Sequence, residues 1–340
     1  MSQGTTGIRA TAGSRAILDR TVRRLTVAIA RRIRVGRLTI VLPDGSRHAF
    51  GRPGSQPTGE MHIDDTAALV RMLLGGETGA GEAYMDGHWS SPDLPGLLRL
   101  AALNREALAL SAGWWRIPLQ VPRTIAHRMR RNSVDQARRN ITAHYDLGND
   151  FYRLFLDETM TYSCAVFASP DQSLADAQRN KYRVMAERAG LAAGMHVLEI
   201  GTGWGGFAVH AATHYGCHVT TTTISPRQHE FAQRRVKEAG LEDRVTVLVD
   251  DYRDLEGTFD KIIAIEMIEA VDWREYDTFF AHCRRLLDDA GALAMQAIAV
   301  RDESFDRIKL HTDFIKTAIF PGGCLPSVRA LKAANRKSVV

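Results

Sequence analysis

Apolar and polar positions alternate with strand-like spacing near the start of the chain and with helix-like spacing soon afterwards. Residues 36–50 switch between apolar and polar side chains around the tripeptide Pro-Asp-Gly, which predicts a β-hairpin. Residues 64–76 and 93–110 instead repeat apolar side chains at helical spacing. Together these patterns predict a small mixed α+β domain over residues 35–118.

The second half of the chain alternates helical stretches with short runs of β-branched residues. Such alternation is typical of a parallel sheet whose strands are joined by crossover helices. We therefore predict an α/β domain with a Rossmann-like sheet over residues 141–340. Its predicted strands are residues 196–200, 218–224, 245–249, 261–265 and 292–298.

Arginine is concentrated in two segments of a chain whose net charge is only +5. Residues 1–34 form a basic amphipathic N-terminal segment, and residues 119–140 form a basic linker. Six arginines and one acid, Asp135, fall within residues 123–139. Basic amphipathic helices bind anionic lipid headgroups, so a membrane surface is one interpretation and solvated helices are the other. The interleaved aromatics of nucleic-acid sites are missing, and no nucleic-acid partner is expected.

The spacing of the cysteines and the hydropathy of the chain bear on the cellular compartment in which the protein is expected. The four cysteines are scattered and form no C-x-x-C pair, so neither a disulfide framework nor a metal site is expected. No apolar run reaches the roughly 20 residues of a membrane-spanning helix. The N-terminal apolar stretch is interrupted by Arg31 and Arg32, unlike a secretory signal. The sequence therefore predicts a cytoplasmic protein.

A glycine-rich loop follows the first predicted strand of the α/β domain. Gly201, Gly203 and Gly206 have the spacing G-x-G-x-x-G between a strand and a helix, where backbone can approach a ligand closely. A nicotinamide site would need an acid about 20 residues further on, at the end of the second strand. That strand ends in VTTTTIS and carries no acid. The loop therefore does not fit a nicotinamide dinucleotide.

The acid of this region is Glu199, at the close of the first strand. The resulting pattern E-x-G-x-G-x-G is that of S-adenosylmethionine-dependent methyltransferases. A carboxylate at this position can accept hydrogen bonds from neighbouring backbone or, through water, face the cationic methionine end of the cofactor.

Several longer motifs follow one another in the order of a known family. Together they closely resemble the cyclopropane-fatty-acyl-phospholipid synthase and mycolic acid cyclopropane synthase family, over roughly residues 40–330. The N-terminal stretch GEAYMDGHWSSPDL resembles the small extra domain of the phospholipid-acting branch, which implies a lipid-associated role for residues 35–118. The motifs are NITAHYDLGNDFYRLFLDETMTYSCAVF, SLADAQRNK, VLEIGTGWGG, TTTISPRQ, DDYRDL, EMIEAV and FPGGCLPS.

The resemblance implies S-adenosylmethionine as the cofactor and assigns residues to each of its parts. Because Thr and Gln can hydrogen-bond ribose hydroxyls without a charge, they account for the missing acid after the second strand. The matching residues are Tyr145, Tyr162 and Ser163 at the methionine end, Gly201 and Gly203 in the cradle, Thr223, Ile224 and Gln228 on the ribose side, and Asp251 and Tyr252 at the adenine rim.

The reaction implied by the resemblance is methyl transfer to the cis double bond of an unsaturated phospholipid acyl chain. A cis alkene has no proton to remove beforehand, so the enzyme must align it with the sulfonium methyl group in a dry pocket. Methyl transfer leaves a carbocation, which aromatic ring faces can stabilise. Loss of a proton from the new methyl group closes a cyclopropane ring, and this step needs a nearby base.

In the family that the chain resembles, this base is a bound bicarbonate. The resemblance places its ligands at Cys164, Glu269, Gln296 and Ile298. Gln296 stands where some relatives have a histidine, and a glutamine can donate a hydrogen bond but cannot carry a proton. Glu266 competes with Glu269 for the carboxylate role, and the motif register favours Glu269.

The sequence thus predicts a peripherally membrane-associated transferase that forms cyclopropane rings. One alternative is C-methylation of the same alkene without ring closure, and another is an inactive remnant that binds only lipid or cofactor. Family members continue well past FPGGCLPS, so a sheet without its last strands is expected. The oligomeric state is open, with a homodimer as one candidate.

Overall fold

The structure is a computed structural model that describes residues 23–108, 148–311, 313–320 and 322–338. The chain divides into two compact units, Met1–Ile125 and Ala126–Val340. The predicted basic linker and the predicted domain limits at residues 118 and 141 lie outside the described residues, so these limits stay predictions. Within the described residues, no helix combines the length and the apolar content needed to cross a membrane.

The N-terminal unit is built on a four-stranded sheet. A helical segment at residues 23–30 precedes it. The described elements that follow are β1 (Arg37–Val41), β2 (Arg47–Gly51), β3 (Thr58–Ile63), α1 (Ala67–Met85), β4 (Trp89–Ser90), α2 (Leu94–Leu103) and α3 (Arg105–Leu108). The strand order is β2-β1-β3-β4, with β1 antiparallel to β2 and parallel to β3. The predicted mixed α+β unit is confirmed.

Local signals in this unit agree with the structure. The predicted hairpin forms between β1 and β2, and the Gly45 N–H donates to the Leu42 carbonyl oxygen within its turn (2.8 Å). Helix α1 changes direction at Gly76, whose φ of 58° and ψ of −135° are not helical. The predicted helix ended at this glycine. Asp93 caps α2 by accepting a hydrogen bond from the Gly96 N–H (3.0 Å).

The second unit alternates strands with helices, as the sequence predicts. Short 3₁₀ turns follow β7 and β8, and a π-helical turn spans Ile315–Ile319. The regular elements are α4 (Asn149–Arg153), α5 (Leu174–Ala189), β5 (His196–Ile200), α6 (Gly206–Tyr215), β6 (His218–Thr222), α7 (Pro226–Glu238), β7 (Val245–Leu248), β8 (Phe259–Ile265), α8 (Tyr276–Leu286), β9 (Leu287–Gln296), α9 (Asp302–Ile308) and α10 (Val328–Ser338).

The five strands of this unit form one parallel sheet in the order β7-β6-β5-β8-β9. Both faces are covered, because successive side chains of a strand point to opposite sides. Along β8, Ile262 and Ala264 pack into one apolar cluster and Ile263 into the other. The Rossmann-like fold is therefore confirmed. The order reverses between β5 and β8, and ligands of such sheets bind at the carboxyl end of this switch point.

The fifth strand of the sheet differs from its prediction at both ends. It spans Leu287–Gln296, whereas residues 292–298 were predicted. Its register against β8 shifts between Phe259 and Lys261. The strand ends early because the Ile298 N–H leaves the ladder and donates to Glu269 Oε1 instead. This ending places the backbone after β9 at the site described next.

Candidate active site

A cavity of about 610 Å³ opens at the carboxyl ends of β5, β6 and β8, beside the switch point of the sheet. Tyr145 lies outside the described residues. The structure places the other residues predicted for the cofactor around this one cavity: Tyr162, Ser163, Glu199, Gly201, Gly203, Thr223, Ile224, Gln228, Asp251 and Tyr252.

The glycine loop after β5 is shaped to leave room for a ligand. The Gly201 N–H donates to the Thr222 carbonyl oxygen at the end of β6 (3.0 Å), which fixes the start of the loop. Gly203 has a φ of +53°, and a Cβ atom added there would meet no protein atom within 4 Å. At Gly206, by contrast, a Cβ atom would lie 2.2 Å from the Tyr182 hydroxyl oxygen. Gly203 therefore keeps the cavity open, and Gly206 lets α6 pack against α5.

Polar side chains after β6 and β7 are held to one another in buried positions. The Thr223 hydroxyl donates to Gln228 Oε1 (2.8 Å), and both residues are buried. Asp251 caps the 3₁₀ turn that follows it and accepts hydrogen bonds from Arg253 Nε and Nη2 (2.8 Å each). The side of the cavity predicted for the ribose is thus lined by neutral groups, whereas a buried carboxylate follows β7.

Glu199 is a buried carboxyl group one residue before the end of β5. Glu199 is only 3% exposed, and the Thr221 hydroxyl on β6 donates a hydrogen bond to its Oε2 (2.6 Å). Burial raises the pKa of Glu199 to about 8. Burial thus favours the neutral form of Glu199, the Thr221 hydrogen bond and the charge of Lys181 oppose this shift, and a role of Glu199 at the methionine end of the cofactor stays a prediction.

Replacing Glu199 with glutamine should stabilise the fold at mildly alkaline pH. The folded pKa is raised, so the stability that Glu199 contributes is fully present below its ordinary value of 4.5 and is lost as pH rises through about 8. Glutamine keeps an acceptor for Thr221 and has no proton to lose. We expect the variant's advantage in urea unfolding to grow across this pH range, on the order of a few kcal/mol in total. An advantage independent of pH would contradict the assignment.

A buried lysine lies behind the predicted methionine end of the cofactor site. Lys181 on α5 is fully buried, and its Nζ donates to Ser163 Oγ (2.5 Å). Gln178 on the same helix donates to the Ser163 carbonyl oxygen (2.8 Å). Burial lowers the pKa of Lys181 to about 8. Because the Ser163 oxygen accepts from Lys181, its hydroxyl proton is free to point towards a ligand in the cavity that Ser163 lines.

Two glutamates accept the hydrogen bonds of the donor groups at the predicted base site. Glu266 Oε1 accepts from the Cys164 N–H (2.9 Å) and from Gln296 Nε2 (2.8 Å), and Glu269 Oε1 accepts from the Ile298 N–H. Both glutamates and Ile298 line the cavity, whereas Cys164 and Gln296 contact the site through Glu266. The structure therefore brings the four predicted residues together and adds Glu266 among them.

Glu269 keeps one oxygen available for a ligand. Its Oε2 is buried and has no hydrogen-bond partner among the described residues. Burial raises the pKa of Glu269 to about 7, the negative charge of Glu266 adds to the rise, and the Ile298 N–H opposes it. This carboxyl group can therefore donate or accept a hydrogen bond near neutral pH.

Aromatic and apolar side chains form the remaining walls. Tyr152 packs against Trp204 and Tyr162, with ring centroids 4.9 Å and 5.4 Å away. Trp204 Nε1 donates to Asn149 Oδ1 (2.8 Å), which fixes the indole ring. Aromatic faces of this kind can stabilise a nearby cation. The cavity that the two glutamates line has further apolar lining residues, which include Met267, Val271, Ile308, Ile315, Phe320 and Leu325.

Sequence reasoning missed Lys181 and Trp204 at this site, although each lies within a recognised motif. Lys181 shares a helix face with buried residues of α5, and a lysine in such a position is a signal for a functional charge. Trp204 stands inside the glycine loop. Glu266 was considered only as a substitute for Glu269, and the structure uses both.

The site and the fold together define a class of enzyme. A parallel sheet whose first strand leads into an open glycine loop, with neutral polar groups rather than an acid after the second strand, is that of an S-adenosylmethionine-dependent methyltransferase. The chain belongs to the cyclopropane synthase family, because the family model described as mycolic acid cyclopropane synthetase matches residues 132–339.

Two curated relatives and one solved structure show how similar the chain is to known members. It is 38% identical over 327 residues to tuberculostearic acid methyltransferase UfaA1 of Mycobacterium tuberculosis, covering 94% of this chain and 74% of that protein. It is 35% identical over 304 residues to cyclopropane-fatty-acyl-phospholipid synthase of Escherichia coli, covering 87% and 74%. The crystal structure of mycolic acid cyclopropane synthase CmaA1 complexed with SAH and CTAB matches with 33% identity and a TM-score of 0.55, covering 59% and 74%.

Proposed function

We propose that this chain transfers the methyl group of S-adenosylmethionine to the cis double bond of an unsaturated phospholipid acyl chain and then closes a cyclopropane ring. One observation carries the proposal: the polar cofactor residues, the two glutamates and the apolar residues all line the same cavity. The Escherichia coli relative, named a cyclopropane-fatty-acyl-phospholipid synthase, supports this substrate and product.

C-methylation of the same alkene without ring closure is a second candidate. It is favoured by the similarity to the Mycobacterium tuberculosis relative, which is named a methyltransferase and matches 94% of this chain. Both reactions share the methyl transfer and the loss of a proton. They differ only in whether the electron pair of the broken C–H bond closes a ring or forms a double bond.

The residues of the cavity fit S-adenosylmethionine. Gly203 leaves open space beside the loop, Thr223 and Gln228 offer neutral polar groups for ribose hydroxyls, and Asp251 follows β7 where the adenosine end would lie. The cofactor supplies a methyl group on a positively charged sulfur. Ser163, oriented by Lys181, would bind the methionine end.

The apolar and aromatic walls would hold the alkene and exclude water. A carbocation formed on the acyl chain would be quenched by any water that reached it, so a dry pocket favours the product. Trp204 and Tyr162 line the cavity and present aromatic rings that can stabilise the cation. An acyl chain would extend along Met267, Ile315 and Phe320.

A bicarbonate ion does not fit the arrangement at the predicted base site. The Cys164 and Ile298 N–H groups already donate to Glu266 and Glu269. Two carboxyl groups beside one another also disfavour a further anion, and the pKa of Glu269 is already raised to about 7 in this setting. Bicarbonate was predicted from the resemblance alone, and because these residues do not fit it we derive no step through it.

Incubation with isotopically labelled S-adenosylmethionine and vesicles of unsaturated phospholipid tests the proposed function. Mass spectrometry should show the gain of one CH₂ unit per acyl chain, and a product that resists hydrogenation is a ring rather than an alkene. Vesicles of saturated phospholipid are the control and should gain nothing. Absence of label in the unsaturated lipid would leave only the inactive, binding-only alternative.

We further propose that the chain works in the cytoplasm at a membrane surface, and a homodimer remains a prediction. Raising the salt concentration should weaken binding to anionic vesicles, because ions screen the attraction. Neutralising five arginines of the basic linker should weaken it about tenfold or more, as measured by vesicle sedimentation. The substituted residues, outside the described part of the chain, are Arg128, Arg130, Arg131, Arg138 and Arg139.

A matched variant controls for the change in net charge. It neutralises five exposed arginines of the second unit that lie outside the basic linker, and it should leave vesicle binding within a factor of about two. Equal loss of binding in both variants would show a net-charge effect and contradict a docking role for the linker. The control residues are Arg183, Arg188, Arg234, Arg284 and Arg301.

A further inference from the structure

Glu266 has a backbone conformation that is unusual for its residue type. It follows β8 directly and has a φ of +48°, in the left-handed region that favours glycine. Its N–H donates to the Gln296 carbonyl oxygen (2.8 Å), which holds the residue against the end of β9. A side chain in this region is strained, and such strain clusters at functional sites. The conformation carries the carboxylate to the Cys164 segment.

The contacts of Glu266 are those that an anion would make. Its Oε1 accepts from one peptide N–H, that of Cys164, and from the side-chain amide of Gln296. Gln296 Nε2 also lies 3.0 Å from the Cys164 carbonyl oxygen, which fixes the direction of the amide. A peptide N–H and an amide N–H that converge on one oxygen form a small anion cradle. Here a carboxylate of the chain itself occupies that cradle.

We propose that the carboxylate of Glu266 is the proton acceptor of this active site and takes the place of an external base anion. This inference rests on the proposed function. Glu266 lines the cavity, and its Oε1 is held by two donors, which leaves Oε2 to receive the proton. Gln296 acts as a positioning residue, since an amide can hold the carboxylate but cannot take up a proton.

The proton transfer balances without a further reactant. Once the methyl group is on the acyl chain, one C–H bond of that methyl group breaks and its proton moves to Glu266 Oε2. The electron pair of the broken bond forms the new C–C bond of the ring, or a C=C bond in the methylation alternative. The positive charge on the acyl chain and the negative charge on Glu266 are both neutralised. The carboxylic acid then returns its proton to water when the product leaves.

Two substitutions of Glu266 separate this role from a structural one. Glu266→Gly removes the carboxylate at a position whose φ suits glycine, so the loop is expected to keep its shape and to leave the cradle empty. Glu266→Gln removes the base but still fills the cradle. Single-turnover formation of the cyclopropane or methylene product should fall about 100-fold or more in both variants. Added bicarbonate should restore activity to Glu266→Gly at least tenfold and should leave Glu266→Gln unchanged.

The response of the wild-type chain to bicarbonate tests the same inference. Its turnover in buffer freed of carbon dioxide should equal its turnover with bicarbonate added, with chloride as the control for ionic strength. Loss of wild-type activity on removal of bicarbonate, with recovery on its return, would overturn the inference. Turnover of the Glu266→Gln variant at the wild-type rate would also overturn the inference.

A binding experiment keeps this inference separate from the proposed function. With S-adenosylhomocysteine present, bicarbonate should raise the melting temperature of Glu266→Gly and not that of the wild type. If the wild type transfers no methyl group at all, the proposed function fails, and the binding comparison still decides whether Glu266 fills the cradle. A saturable rise in the wild-type melting temperature with bicarbonate would overturn the inference by itself.

Discussion

Replacing Gly203 with valine should abolish binding of S-adenosylmethionine while the fold is retained. A Cβ atom at Gly203 would meet no protein atom within 4 Å, and Gly203 lines the cavity, so the valine side chain would project into space that the cofactor needs. Glycine is also favoured there because φ is +53°. Isothermal titration calorimetry should show no heat of binding for the variant at cofactor concentrations that saturate the wild type.

Gly190 provides a matched control for the backbone strain. It ends α5 with a φ of +67°, a Cβ atom there would also meet no protein atom within 4 Å, and the residue does not line the cavity. Gly190→Val should therefore lose similar stability in urea unfolding and bind S-adenosylmethionine as the wild type does. Equal loss of binding in both variants would assign the effect to strain, and binding of NADH by the wild type in place of S-adenosylmethionine would refute the cofactor assignment.

Strand positions in the methyltransferase unit were predictable where burial alone decides them. β5 lies at His196–Ile200, as predicted, because a strand covered on both faces reads as a short apolar run. β9 was misjudged because Asp288, Asp289 and Gly291 give its first half a polar, turn-like sequence. These residues join the sheet only through a shifted register against β8, which a local pattern does not encode.

The candidate site was predictable where a motif constrains the backbone, and less so where distant segments meet. Gly201 and Gly203 follow from the spacing of the loop. The carboxylate of Glu266, by contrast, contacts Cys164, which is 102 residues away, and Gln296, which is 30 residues away. The motif register pointed to Glu269 alone, because no sequence signal marks a glutamate with positive φ. Tertiary contacts therefore determine which donor groups hydrogen-bond to Glu266 and which hydrogen-bond to Glu269.

Those same contacts explain how Gln296 could serve where the resemblance places a histidine in some relatives. A histidine at this position could share a proton with a bound anion, whereas the amide of Gln296 only donates hydrogen bonds, to Glu266 Oε1 and to the Cys164 carbonyl oxygen. A residue that cannot carry a proton is sufficient if the neighbouring carboxylate takes the proton itself. We therefore expect Gln296 and Glu266 to act together: Gln296 orients the carboxylate, and the carboxylate takes the proton.

Replacing Lys181 with methionine should weaken S-adenosylmethionine binding about tenfold without destabilising the fold. Methionine keeps much of the length and volume of lysine but loses the donor to Ser163 Oγ and the positive charge behind the methionine end of the site. Removal of a buried charge with few partners also relieves its desolvation cost, so the melting temperature should stay the same or rise. Calorimetric titration and thermal unfolding of the same samples measure both quantities.

The pH dependence of binding identifies the lysine as the cause. Burial lowers the pKa of Lys181 to about 8, so the side chain loses its charge as pH rises through that value, and wild-type affinity should fall there. The amino group of the cofactor and the carboxyl group of Glu199 also titrate in this range, so only the difference between proteins is informative. Lys181→Met should lack the step that is due to the lysine, whereas the exposed control Lys237→Met should keep it. An identical pH profile in the wild type and in Lys181→Met would show that Lys181 supports packing alone.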